Sequence, residues 1–97
     1  MNRLSDSVAV KVRIYGRIQG VWYRGWTETE ANELGLFGWV RNRQDGSVEA
    51  LLIGQKPSVD IMLKRLGEGP PAAKVERVET EEARGVAPNR FEVKPTV

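Results

Sequence analysis

Val8, Val10, Val12 and Ile14 alternate with Ala9, Lys11, Arg13 and Tyr15, a period of two that marks a strand with one buried face. A glycine-bearing stretch follows at residues 16–24, GRIQGVWYR. Tyr23, Thr27, Ala31 and Leu34 then recur at helical spacing, Glu28, Glu30 and Glu33 lie off that stripe, and Gly35 supplies the stop. Gly38 to Arg43 reads as a second strand, residues 43–47 as a turn around Asp45-Gly46, and Ser47 to Ile53 as the returning strand of a hairpin. Pro57 suits the first turn of a second helix with the apolar stripe Val59, Met62, Leu63 and Leu66, ended by Gly67-Glu68-Gly69-Pro70-Pro71. A fourth strand covers Lys74 to Glu81, where a bulge accounts for the broken alternation of Val75 and Val78. Phe91 and Val93 suggest a short last strand.

The order β-α-β-β-α-β, with that short fifth strand, predicts an α+β fold of the ferredoxin-like split βαβ type. It is an antiparallel sheet with two helices on one face. The right-handed crossover rule puts both helices on the same side. Unrelated functions share this architecture, so it decides no activity. A length of 97 residues predicts one domain, residues 8–97, behind a flexible N-terminus at residues 1–7.

Composition narrows the chemistry. Hydrophobic residues make up 40% and charged residues 29%, as in a folded soluble protein. No apolar run approaches the ~20 residues that span a bilayer, and residues 1–7 lack the apolar centre of an export signal, so the expected location is cytoplasmic, without membrane contact. The chain has no cysteine and no histidine, which removes disulfides, thiolate chemistry, the commonest general base and the commonest metal ligand. Chemistry here rests on arginine, amides, hydroxyls, carboxylates or water. Net charge is only +2, but residues 11–43 carry six Lys/Arg against three Glu, whereas residues 44–97 carry eight against nine acids. The positive excess surrounds residues 16–24.

A loop that runs from a strand into a helix N-terminus presents unpaired N–H groups and the positive end of the helix dipole. Gly16 and Gly20 let the chain curl so that amides, those of Gln19 and Val21 among them, converge on an anion. Arg24, in the first helical turn, adds a guanidinium able to grip two phosphate oxygens. No Gly-Lys-Ser/Thr follows, and the G-x-G-x-x-G spacing is missing, so this is neither a Walker A loop nor a dinucleotide fingerprint. On spacing alone, a phosphate nest and a plain connection with solvated arginines fit equally well. Likewise Asn42 reads alone as a strand-edge residue, and Arg24 as a solvated first-turn arginine.

GRIQGVWYR resembles the G-x-V-Q-G-V-x-F-R signature of the acylphosphatase family. Gly38-Trp39-Val40-Arg41-Asn42, followed by Asp45-Gly46-Ser47-Val48-Glu49, resembles its second signature, and Thr27 and Leu34-Gly35-Leu36 also match. The resemblance extends from about Val8 to Val93. It implies hydrolysis of acyl phosphates to a carboxylate and inorganic phosphate, without metal or cofactor and with phosphate itself a competing inhibitor. It implies that Arg24 binds the phosphoryl group, that Asn42 orients the attacking water, and that the amides of Arg17, Ile18, Gln19, Gly20, Val21, Trp22 and Tyr23 complete the cradle. Gly16 and Thr27 support it, Thr27 by packing or through a hydroxyl beside Asn42. Ile18 and Tyr23 replace valine and phenylalanine. Trp22 holds a variable position and reads either as the acyl-side wall or as a packing aromatic.

Two other functional classes share features with this sequence. A ligand-binding module without catalysis fits the same fold, and acylphosphatase-like domains occur inside larger carbamoyl-transfer proteins; the end of the chain soon after the last strand favours a free-standing enzyme. Nothing in the sequence suggests an obligate interface, so a monomer is expected. RNA binding on a βαββαβ sheet needs exposed aromatics on the central strands, where this chain offers Lys11, Arg13, Glu49 and Leu51 with only Tyr15 aromatic. No nucleic-acid partner is expected.

Overall fold

The computed structural model describes residues 7–84 and 88–97. The opening alternation becomes β1 (Ser7–Arg17), with Val12 and Ile14 fully buried. Residues 1–6 of the expected flexible start lie outside the described residues, while Ser7 already pairs with Gln55. There follow α1 (Tyr23–Glu33), β2 (Phe37–Asn42), β3 (Val48–Gln55), α2 (Lys56–Glu68), β4 (Lys74–Glu82) and β5 (Phe91–Val93). The predicted stripes face inward: Tyr23, Thr27 and Ala31 are buried on α1, and Val59, Met62 and Leu66 on α2. Their apolar members meet Val12, Ile14, Val40, Val48, Ala50 and Leu52 of the sheet in one apolar cluster. α1 packs on β2 and β5, α2 packs on β1, β3 and β4, and the helices touch each other, so one face of the sheet is covered.

The sheet order is β4-β1-β3-β2-β5. Its first four strands pair antiparallel as expected. The fifth does not: β5 runs parallel to β2, so the sheet is mixed and not purely antiparallel. Direction explains it. Val10 pairs with Glu82, and Gly38 with Phe91, so β4 ends and β5 begins at the same end of the sheet. β5 therefore runs against β4, and β4 runs against β2. Eight residues join the two edges, and at ~3.3 Å each they reach across the four strand spacings of ~4.8 Å.

The broken alternation of β4 is a bulge. The register jumps between Tyr15 and Gly16, which pair with Arg77 and Val75, leaving Glu76 as the extra residue and turning both Val75 and Val78 toward the core. Gly16 sits there at φ 141°, where a Cβ would lie 2.1 Å from the Lys74 carbonyl oxygen. Only glycine permits this approach, at the point where β1 turns into the loop.

β1 and β2 run the same way on either side of β3, so their C-terminal ends emerge at one end of the sheet. The loop leading into α1 starts at that end, and Asn42 closes β2 beside it. This topology places the candidate site.

Candidate active site

β1 continues through Arg17, which pairs with Lys74 and is exposed, so the loop proper starts at Ile18. Ile18 is an anchor, its side chain buried in the core. Gly20 turns the chain at φ 79°, and Trp22 enters α1 at φ 66° with no side-chain cap. Among the described residues, none of the amides of residues 19–24 donates to a backbone carbonyl. Donors left without backbone partners at a helix N-terminus suit an anion.

The Gln19 side chain holds the loop in place. Its Nε2 donates to the carbonyls of Arg43 at 2.8 Å and Ser47 at 2.9 Å, the two residues whose backbone pair closes the β2–β3 hairpin. The loop is thereby fastened beside Asn42. Arg24 reaches toward the segment after β5, its Nη1 donating to the Lys94 carbonyl at 3.5 Å. Among the described residues it forms no ion pair. A guanidinium so weakly held keeps most of its five donors for a ligand.

Ile18, Gln19, Gly20, Trp22, Tyr23, Arg24, Gly25, Asn42 and Val93 line one cleft of about 220 Å³. Arg24 and Asn42 thus meet at one cavity, together with five of the seven expected loop residues. Arg17 and Val21 do not line it, and Val21 packs against the core. Gly16 acts at the root of the loop. Thr27 is fully buried and donates to the Tyr23 carbonyl at 2.8 Å, so its proton serves the helix and not Asn42. The Tyr23 hydroxyl donates to the Leu66 carbonyl at 2.6 Å, and burial pushes the phenol far above its ordinary range. It remains neutral and offers no acid–base chemistry.

Val93, Gly25 and Lys94 were not legible as site residues. Val93 reaches the cleft through the parallel pairing of β5 with β2, which no local pattern announces. Lys94 contributes only a backbone carbonyl, which no side-chain reading finds.

A cleft of about 300 Å³ on the open face of the sheet is lined by Lys11, Arg13, Tyr15, Glu49, Glu79 and Glu81 among others. Its charges have both signs and it has no helix terminus. Beside it, Glu49 is buried under Arg41 at 2.8 Å, Arg43 at 3.2 Å and Arg13 at 4.0 Å. Burial pushes the Glu49 carboxyl up, but the Arg41 hydrogen bond and the three positive charges outweigh it and hold it below the usual range. Arg41 also stacks on Trp39, 4.6 Å from the ring centre. Among the described residues no three His, Cys, Asp or Glu side chains gather as metal ligands, and no helix is long and apolar enough to cross a membrane.

The acylphosphatase family model matches residues 10–93. The chain is 54% identical over 86 residues to an acylphosphatase of Mesorhizobium japonicum, covering 88% of this chain and 92% of that protein. It is 50% identical over 97 residues to an acylphosphatase of Acidovorax sp., covering all of both. Its fold superposes on the structure of an acylphosphatase from Coxiella burnetii with a TM-score of 0.92 at 34% identity, covering 97% of this chain and 99% of that one. In sequence over most of its length, and in fold, this chain belongs to the acylphosphatase family.

Proposed function

We propose that the chain hydrolyses acyl phosphates at the cleft between the 18–24 loop and the end of β2. The observation that carries this reading is that Arg24 and Asn42, from separate elements, line one cavity with a helix N-terminus. Arg24 and the loop amides bind the phosphoryl oxygens. The Asn42 carboxamide oxygen accepts a hydrogen bond from water and holds it in line with the bond to be broken. A new bond forms from the water oxygen to phosphorus while the phosphorus–acyl oxygen bond breaks. The carboxylate leaves with the electron pair, and the water's proton passes to a phosphoryl oxygen.

The reaction suits a chain without histidine. A carboxylate whose acid has a pKa of about 4 leaves without being protonated. Phosphoryl transfer to water asks mainly for positioning and for charge stabilisation on the equatorial oxygens. A preorganised donor of this kind lowers the barrier by about 3–4 kcal/mol. Inorganic phosphate, the product, competes for the same donors.

Phosphate release from acetyl and benzoyl phosphate tests the reading. Arg24→Gln is expected to lower kcat at least ~100-fold and to abolish inhibition by phosphate. Asn42→Ala is expected to lower kcat by a similar factor while leaving phosphate inhibition intact. Near-full activity of the Asn42 variant removes the water-holding role. No release by the unmodified chain leaves a phosphate-binding module.

A further inference from the structure

The phosphoryl end is common to all acyl phosphates, so discrimination among them rests on what the acyl end meets. Trp22 stands at the rim of the cleft. It lines the cleft yet is 66% exposed, and among the described residues it alone has a positive φ without being glycine. Left-handed backbone is costly for a residue with a Cβ and persists where surrounding structure over-determines it.

The indole's seat is visible. A Cβ added at Gly25 would lie 2.1 Å from the Trp22 Nε1 and 2.7 Å from its Cδ1. Gly25 has no positive φ, so this glycine supplies room for the indole and not backbone freedom. A glycine inside a helix and a left-handed tryptophan are both locally unfavourable. Their joint product is a broad aromatic face fixed beside the cleft and left in water. Val93, 39% exposed, lines the same cleft.

We propose that Trp22 and Val93 form an acyl subsite that selects aromatic and bulky apolar acyl phosphates over acetyl phosphate. The proposal rests on the hydrolytic reading above. With the phosphoryl group on Arg24 and the loop amides, the acyl group points out along the wall that these two side chains make. A phenyl ring reaches the indole and removes apolar surface from water; a methyl group does not. The indole is already seated over Gly25, so little freedom is lost when the ring docks.

The test is the ratio of kcat/KM for benzoyl phosphate to that for acetyl phosphate, because the shared phosphoryl contacts cancel. Trp22→Gly leaves the φ 66° backbone unstrained and is expected to lower the ratio about fivefold, with Trp22→Phe retaining most of it. A tryptophan that serves packing alone slows both substrates alike. A ratio within twofold of the unmodified chain in Trp22→Gly therefore overturns the subsite. Should the unmodified chain release phosphate from neither substrate, the hydrolytic reading itself falls and the subsite with it.

Discussion

Gln19 spans from the loop to the hairpin, its Nε2 2.8 Å from the Arg43 carbonyl oxygen, one residue beyond Asn42. The same amide nitrogen reaches Ser47 at 2.9 Å. Two halves of the cleft that the chain delivers separately are thus held at a fixed spacing by one side chain. Gln19→Ala is expected to lower kcat/KM on acetyl phosphate about tenfold or more, since small displacements at a reacting centre carry large rate penalties. Losing the two hydrogen bonds is also expected to cost about 1–3 kcal/mol of stability. Steady-state kinetics and urea unfolding on the same preparation measure both.

Tyr23 gives a prediction about stability. Its hydroxyl meets the carbonyl of Leu66, which lies in the last turn of α2, where carbonyls lack intrahelical partners. Tyr23→Phe leaves a buried acceptor unpaired and is expected to cost about 1–3 kcal/mol. For a domain of this size that lowers the melting midpoint by roughly 4–8 °C per kcal/mol.

Much of this arrangement could be read from the chain because local rules and the global fold agree. The alternation of Val8 to Ile14 and the 23–27–31 stripe each had only one inward face to bury, and the loop between them followed from Gly16 and Gly20. The bulge was visible as the broken spacing of Val75 and Val78. The direction of β5 was not visible, because three residues carry no sign of the strand they join or its sense. That gap hid Val93. The clamp was hidden for another reason. Gln19 is part of a recognisable signature, but a glutamine bonding to carbonyls 24 and 28 residues away leaves no trace in spacing. Thr27 shows the opposite limit: its inward position was legible, while its hydroxyl's choice of the Tyr23 carbonyl over Asn42 depended on local helix geometry.

The proposed donor set gives a prediction about metals. The sequence has neither cysteine nor histidine, and the proposed chemistry holds the phosphoryl group through backbone N–H groups and a guanidinium, which offer no lone pair to a cation. Exhaustive treatment with EDTA is expected to leave kcat/KM on acetyl phosphate unchanged. A loss restored by a divalent cation contradicts the mechanism.

Glu49 ties the sheet's open face to pH. Its carboxylate receives Arg41 and Arg43 beneath a nearly closed surface, with Arg13 close by, and its folded-state pKa lies below the ordinary value. A depressed folded pKa means that the unfolded chain binds the proton more readily. The stabilisation is therefore fully present above the unfolded glutamate value of about 4.3 and is lost as pH falls through the lower folded value. Glu49→Gln is expected to cost about 2 kcal/mol at neutral pH, since it takes a charged partner from arginine donors. The gap between the variant and the unmodified chain is then expected to close on acidification below about pH 4, because the unmodified chain loses its carboxylate there while the glutamine has none to lose. Urea midpoints from pH 3 to pH 7 measure it, and a gap independent of pH rejects the assignment of that stabilisation to the Glu49 charge.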